Sequence, residues 1–329
     1  MSLTQTNTQK KQKPKLQLVV NVPDVQPEST HSTDAWKQQT DIFFNEPMYV
    51  IFVIASDQSL QFMHNGKTVA DVAQLKCGRK YQEDRFVAIP NLNKNEDLQF
   101  FYAIYDGHAG HSVSAILENK LHDYLQKDCN FEDNLEKAIL NSFEKMNQYI
   151  LDCQDENQHL GGSTALCVIN RQKDLYVVNL GDSACVLMTD QYEIEKLNQE
   201  HKLNREDEFK RVEKMATILD RHSIPRINGE LAVTRAFGDK KHRQSGLIAI
   251  PEIKLHKIRP CDKYLILASD GFWDMMKNEE LQQLIENWKR QEVDQLAQYL
   301  LDKAASKNTN YKKDNMTLIV VDIQSYWKK

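Results

Sequence analysis

Four aspartates stand where a short apolar run meets a turn. Asp106 follows the run Phe100 to Tyr105, Asp182 follows Leu180 and Gly181, Asp270 follows Leu265 to Ala268, and Asp314 precedes Thr317 to Val321. Gly107, Gly181 and Gly271 adjoin three of them in a chain with only 11 glycines. Glycine lets a backbone approach a bound ion closely, whereas an Asp-Gly pair taken alone is more often an ordinary turn. Position relative to the runs changes that balance. In antiparallel strands the end of one lies beside the start of the next, so these four carboxylates can meet at one edge of a sheet core. Like charges so placed repel, and a bound cation is the usual remedy. Carboxylates and backbone carbonyls suit a hard ion, Mg2+ or Mn2+, over zinc. None of the ten histidines forms a His-Glu-x-x-His pair, so zinc has little support. His108, two residues past Asp106, is either a structural hydrogen-bonder or, beside a metal-held substrate, a proton donor to a leaving oxygen.

Elements of two periods must position these groups. Phe100 to Tyr105, Thr164 to Ile169, Leu175 to Leu180, Ala184 to Met188, Tyr264 to Ala268 and Thr317 to Val321 read as strands. The second to fourth are close enough in sequence for a meander. Another strand is expected near Leu231, and Tyr49 to Ala55 and Leu60 to Met63 read as strands before a turn at Asn65-Gly66. Gly110 to Lys127 and Phe131 to Gln154 read as amphipathic helices, the latter with Leu135, Ile139, Phe143 and Met146 at helical spacing. A helix over Arg205 to Met215 and two more within Asn278 to Ala305 follow. Strands and helices alternate in blocks rather than singly, which favours an α+β fold with antiparallel sheets over a doubly wound parallel one. Residues 1–40, rich in Gln, Thr, Ser and Lys, read as a disordered tail; 41–67 read as an N-terminal extension packing on a main domain at 68–329.

Bulk properties exclude some classes. The net charge is −5, without the basic excess of a nucleic-acid footprint. The longest apolar run, Met48 to Ala55, is far shorter than a membrane span needs. A polar, lysine-bearing N-terminus shows no signal peptide. Six scattered cysteines without a Cys-x-x-Cys pair fit reduced thiols, hence a cytoplasmic or nuclear protein. Gly66-Lys67-Thr68 mimics the end of a P-loop, but residue 61 is Gln where that motif needs glycine.

Ordered blocks carry a resemblance over roughly residues 68–323. They are Gly78-Arg79-Lys80-Tyr81-Gln82-Glu83-Asp84, Tyr105-Asp106-Gly107-His108-Ala109-Gly110 and Gly161-Gly162-Ser163-Thr164-Ala165, followed by Asn179-Leu180-Gly181-Asp182-Ser183. The set continues with Leu231 to Asp239, Leu267 to Asp274 and Asp314-Asn315-Met316-Thr317. This order resembles the protein phosphatase 2C type, the metal-dependent serine/threonine phosphatases. The resemblance implies a four-layer α/β/β/α sandwich, two antiparallel sheets flanked by helix pairs, with a centre for two Mg2+ or Mn2+ ions at one end. Asp106 looks like the carboxylate bridging both ions, Gly107 a carbonyl ligand of one, and Asp270 and Asp314 ligands of the other. Glu83 resembles the acid holding the second ion's water shell, with Asp84 supporting it. Arg79 looks like the phosphate-binding arginine, His108 the general acid, and Asp182 with Asp274 a weaker third metal site.

The implied chemistry is attack on phosphorus by a hydroxide bridging two ions, with Arg79 clamping the phosphoryl oxygens. It needs no covalent intermediate, and no cysteine precedes an arginine at the six-residue spacing of thiolate-dependent phosphatases. Implied partners are phosphorylated proteins acted on by a monomer. Two departures from the family pattern stand out: Ala184 where many members carry arginine, and a flap stretch, Thr217 to Ile227, without the usual glycine pair. The alternatives are a catalytically silent member acting as a scaffold, disfavoured by the presence of Asp106, Asp270 and Asp314, and hydrolysis of a smaller phosphoester.

Overall fold

The structure is a computed structural model that describes residues 59–64, 67–92, 99–156, 161–288, 295–307 and 314–327. The tail at 1–40, the strand at Tyr49 to Ala55 and the turn at Asn65-Gly66 lie outside the described residues.

Two antiparallel sheets form the centre. The six-stranded sheet runs, in spatial order, Ser59–His64, Lys67–Leu75, Met316–Asp322, Asp262–Ala268, Ala184–Thr189, Ile194–Lys196. The five-stranded sheet runs Glu252–Lys257, Asp174–Leu180, Ala165–Arg171, Phe101–Tyr105, Arg85–Ile89. Strands buried on both faces lose the period-2 alternation of half-exposed ones and read as continuous apolar runs. Phe101–Tyr105 and Met316–Asp322 are such strands, buried at every position.

Helices Ser112–Gln126 and Leu135–Glu156 place Val113, Leu117, Leu121, Ile139, Phe143 and Met146 against Phe101, Ala103 and Tyr105 of the five-stranded sheet. Tyr102 and Ile104, of opposite parity, are also fully buried, so the other face of that strand is covered too. Helices Asn278–Glu286 and Leu296–Ser306 cover the six-stranded sheet through Leu281, Ile285, Leu300 and Leu301 against Ile266, Leu318 and Val320. Mixed helices and antiparallel sheets follow the α+β expectation.

Two sequence expectations need correcting. Ala165–Arg171 and Asp174–Leu180 form a hairpin, but Ala184–Thr189 does not continue a meander: it pairs with Asp262–Ala268 in the other sheet. The place beside Asp174–Leu180 is taken by Glu252–Lys257, and Gly181, at φ +120, turns the chain away between the sheets. No strand forms at Leu231, which makes one isolated bridge to Ile227. Instead Ile218–Arg221 and Ile224–Ile227 form a hairpin whose turn residues His222 and Ser223 have φ of +55 and +63. Asn-Gly is the sequence signal for such a turn, so His-Ser concealed it. The expected strand at Thr317 to Val321 forms as Met316–Asp322 and is followed by a short helix, Ile323–Trp327.

Candidate metal centre

Strand ends bring the acids together. Asp106 follows Phe101–Tyr105 and is fixed through its backbone: its N–H donates to Thr164 Oγ1 at 3.2 Å and its carbonyl accepts from the Thr164 N–H at 2.9 Å. Asp182 follows Asp174–Leu180, and Asp270 opens the one-turn helix Asp270–Trp273 directly after Asp262–Ala268. One carboxylate oxygen from each of Asp106, Asp182 and Asp270 lies within 4.8 Å of the others. That trio contains Asp182, which the family resemblance placed in an outer site, and not Asp314.

Asp314 points to a different partner. Its Oδ2 accepts from Arg79 at 2.5 Å, with both side chains substantially exposed. The expected phosphate clamp and one expected ligand are thus joined. Glu83 Oε1 accepts from the Gly110 N–H at 2.6 Å, just beyond His108. Asp84 is buried beneath, its Oδ2 accepting from Ser269 Oγ at 2.9 Å and Thr317 Oγ1 at 2.7 Å. Asp274 ends the short helix and lies within electrostatic reach of Asp182 and Asp314. His108 Nε2 is 2.6 Å from Asp239 Oδ2.

Gly107 sits where no side chain fits. A Cβ there would meet the Glu83 carbonyl oxygen at 2.5 Å and Ser114 Oγ at 2.7 Å. Ser114 Oγ also donates to that carbonyl at 2.5 Å, so the first turn of helix Ser112–Gln126 pins the Glu83 backbone against the Asp106 loop.

Electrostatics set the character of the pocket. Burial pushes the Asp106 carboxyl well above the usual range, and Asp84, Asp270, Asp182 and Asp314 push it further. Asp270 is raised in the same way, by burial first and then by Asp182 and Asp314. Asp84 is raised to about 6 by burial, which outweighs its two hydroxyl donors. Crowded, buried carboxyls that repel one another and offer only oxygen donors are what a hard divalent cation neutralises. The donor set therefore fits Mg2+ or Mn2+.

Burial pulls the His108 imidazole down, but Asp239, with smaller contributions from Asp182 and Glu83, carries it net upward. A protonated ring held by a carboxylate can give up a proton to a leaving oxygen.

Sequence reasoning assigned no role to several residues that shape the site. Asn315 accepts from the Glu83 N–H at 2.8 Å and donates to the carbonyls of Lys76 and Tyr81 at 2.9 and 3.1 Å, clamping the loop that carries Arg79 and Glu83. Its place next to Asp314 was the available signal. Ser269, Thr317 and Asp239 act at a distance in sequence, and Lys202 lies 3.3 Å from Asp182 with no motif to announce it. Ala184, the departure from arginine, is buried, and its carbonyl accepts from Trp273 Nε1 at 3.0 Å.

Comparisons with known proteins bear on the family and the fold. The model of the protein phosphatase 2C family matches residues 70–313. The chain is 34% identical over 243 residues to probable protein phosphatase 2C 28 of Arabidopsis thaliana, an alignment covering 73% of this chain and 68% of that protein. It is 34% identical over 247 residues to probable protein phosphatase 2C 52 of Oryza sativa subsp. japonica, covering 75% of this chain and 49% of that longer protein. Among solved structures, a serine-threonine phosphatase 2C from Toxoplasma gondii aligns with a TM-score of 0.71 over 84% of this chain and 98% of its own; at 20% identity that likeness concerns the fold. A C. elegans sex determining protein gives the same TM-score at 26% identity, covering 92% of this chain and 78% of that one.

Proposed function

Because this chain belongs to the protein phosphatase 2C family, we propose that it hydrolyses phosphoserine and phosphothreonine in proteins, using two Mg2+ or Mn2+ ions held by Asp106, Asp270, Asp314, Glu83 and the Gly107 carbonyl. The observation that carries this reading is the convergence of Asp106, Asp182 and Asp270 within 4.8 Å, in a pocket where burial and mutual repulsion hold the Asp106 and Asp270 carboxyls well above their usual range.

Bound there, divalent ions supply charge neutralisation for the phosphoryl group and acidify water at neutral pH. The protein's own groups do the rest. Arg79 turns from Asp314 to fork the phosphoryl oxygens, which orients the ester for in-line attack. His108, held by Asp239, donates a proton to the departing seryl or threonyl oxygen, a poor leaving group unless protonated. Asp84 and Asn315 position the loop and strand ends that carry these groups. Nothing in the site favours the silent scaffold reading.

The catalytic unit of this proposal is residues 68–329, with Ser59–His64 as an edge strand of its six-stranded sheet. A cytoplasmic or nuclear site of action belongs to the same proposal and is supported by six free cysteines. No helix among the described residues is long and apolar enough to cross a membrane.

Phosphate release from phosphothreonine peptides tests the reading, run with Mn2+ or Mg2+, with excess chelator, and with Asp106→Asn. Activity confined to the metal-loaded wild type is expected. Equal rates in all three conditions would sink it.

A further inference from the structure

The acidic pocket contains a positive charge of its own. Lys202 Nζ lies 3.3 Å from Asp182 Oδ2 and 3.1 Å from Glu200 Oε2. Its charge also reaches Asp270 and Asp274: burial drives both carboxyls up, and Lys202 is the cation that opposes this in each case. The same ammonium therefore contacts Asp182, which joins the inner trio, and acts electrostatically on Asp274, the acid expected to form an outer site with it.

The position is built into the backbone rather than reached by a wandering side chain. The His201 N–H donates to the Gly181 carbonyl at 2.9 Å, the Thr234 N–H donates to the His201 carbonyl at 2.9 Å, and Lys202 forms an antiparallel bridge with Val233. The His201 ring accepts from the Gly181 N–H through Nδ1 at 3.0 Å. The bonds of His201 and the bridge of Lys202 itself thus hold its Cα next to the Gly181-Asp182 turn. Glu200, which also accepts from Lys196 at 2.7 Å, steadies the ammonium from the solvent side.

We propose that the Lys202 ammonium is a resident third cation of the centre, taking the place beside Asp182 and Asp274 that a weakly held divalent ion would otherwise fill. This rests on the reading of Asp106 and Asp270 as metal-binding. A compact ammonium with three donors is suited to several carboxylates at once, and a tethered one is present at high effective concentration whatever the free metal. A divalent ion entering beside Asp182 must displace Lys202 or endure its repulsion. The outer acids are thereby neutralised without drawing on free metal, and the centre is complete with two ions.

Counting bound Mn2+ tests the proposal without reference to turnover. The full chain is titrated with Mn2+, and free ion is read by electron paramagnetic resonance, for wild type, Lys202→Met, Lys202→Gln and Lys202→Arg. Near-ultraviolet circular dichroism checks folding, and two neutral variants are used so that either can carry the comparison. Wild type and Lys202→Arg should saturate at two ions over a range where Lys202→Met and Lys202→Gln take a third, bound roughly tenfold more tightly or better than in wild type. Adding Asp182→Asn to Lys202→Met should remove the extra ion. Identical stoichiometry and affinity in the neutral variants and wild type would overturn the proposal while leaving the two-ion reading intact, as would a third ion taken equally well by Lys202→Arg. Failure of wild type to bind any Mn2+ would instead strike the two-ion reading, and this proposal with it.

Discussion

Arg79 and Asp314, 235 residues apart in sequence, meet in a hydrogen bond of 2.5 Å. One is expected to hold phosphate and the other a metal ion, so the two tasks compete for the same pair of side chains. Removing the arginine should then act in opposite directions on the two ligands. Arg79→Ala is expected to lower kcat/KM on a phosphothreonine peptide by roughly 100-fold through loss of the fork. Its Mn2+ dissociation constant should fall, because Asp314 is freed. Calorimetric titration decides the second point; weaker Mn2+ binding would mean the pair supports metal capture.

The bond between His108 and Asp239 should matter only when the leaving oxygen needs a proton. Asp239→Asn removes the negative partner while keeping a hydrogen-bonding group beside Nε2. The rate on an alkyl phosphate or a phosphoserine peptide should drop by roughly 10- to 100-fold, part of the roughly 100- to 10,000-fold that general-acid assistance typically contributes, because the ring itself remains. With a nitrophenyl ester, whose leaving group departs as the anion, the rate should change little. Equal losses on both substrates would assign Asp239 a structural role alone.

His201 gives stability a specific pH dependence. Burial and the nearby Arg235 hold its pKa down at about 4, whereas an unfolded histidine titrates near 6.5. The unfolded chain therefore binds the extra proton first as pH falls. Stability contributed by the neutral ring is present above about 6.5 and lost between there and about 4, at most about 3 kcal/mol. His201→Asn, whose amide oxygen can still accept from the Gly181 N–H, should flatten that portion of a denaturation-versus-pH curve. A parallel displacement of the whole curve would assign the slope to other groups.

Glu208 is the buried anion under the flap region. It accepts from Arg211 at 2.5 Å, from Arg235 at 2.6 and 2.9 Å, and from Thr234 Oγ1. Truncating one member of a buried ionic cluster strands the others, at about 3–5 kcal/mol. Glu208→Ala should cost that much in urea denaturation, and the hairpin Ile218–Arg221 with Ile224–Ile227, packed through Ile218 and Ile227 near Val212, should become the most protease-sensitive segment of the described fold. Unchanged unfolding would show that the arginines find other partners.

Strands buried on both faces were legible because Phe101–Tyr105 is a continuous apolar run and Asp262–Ala268 and Met316–Asp322 contain such runs, Tyr264 to Ala268 and Leu318 to Val321. Glu252–Lys257 escaped notice because its alternation, Ile253 and Leu255 between polar residues, is short and runs against its burial as an edge strand, with Leu255 exposed and His256 buried. The acids of the centre could be named from their places at strand ends, yet their grouping could not. Which carboxylates share a site depends on how strand Ala184–Thr189 crosses between sheets, a choice made by Gly181 and by competition for an edge rather than by any local pattern. Lys202 was invisible for the same reason: its chemistry depends on a backbone bridge to Val233.

Asn315 fastens the loop of Arg79 and Glu83 from much later in the sequence, through a bond to Glu83 across 232 residues. During ribosomal synthesis Asp106, Asp182 and Asp270 all emerge well before that asparagine. A nascent chain that stops short of it also lacks strand Met316–Asp322, which joins Lys67–Leu75 to Asp262–Ala268, so the phosphate arm and the strand that leads to Asp270 are set together, once this late segment has emerged.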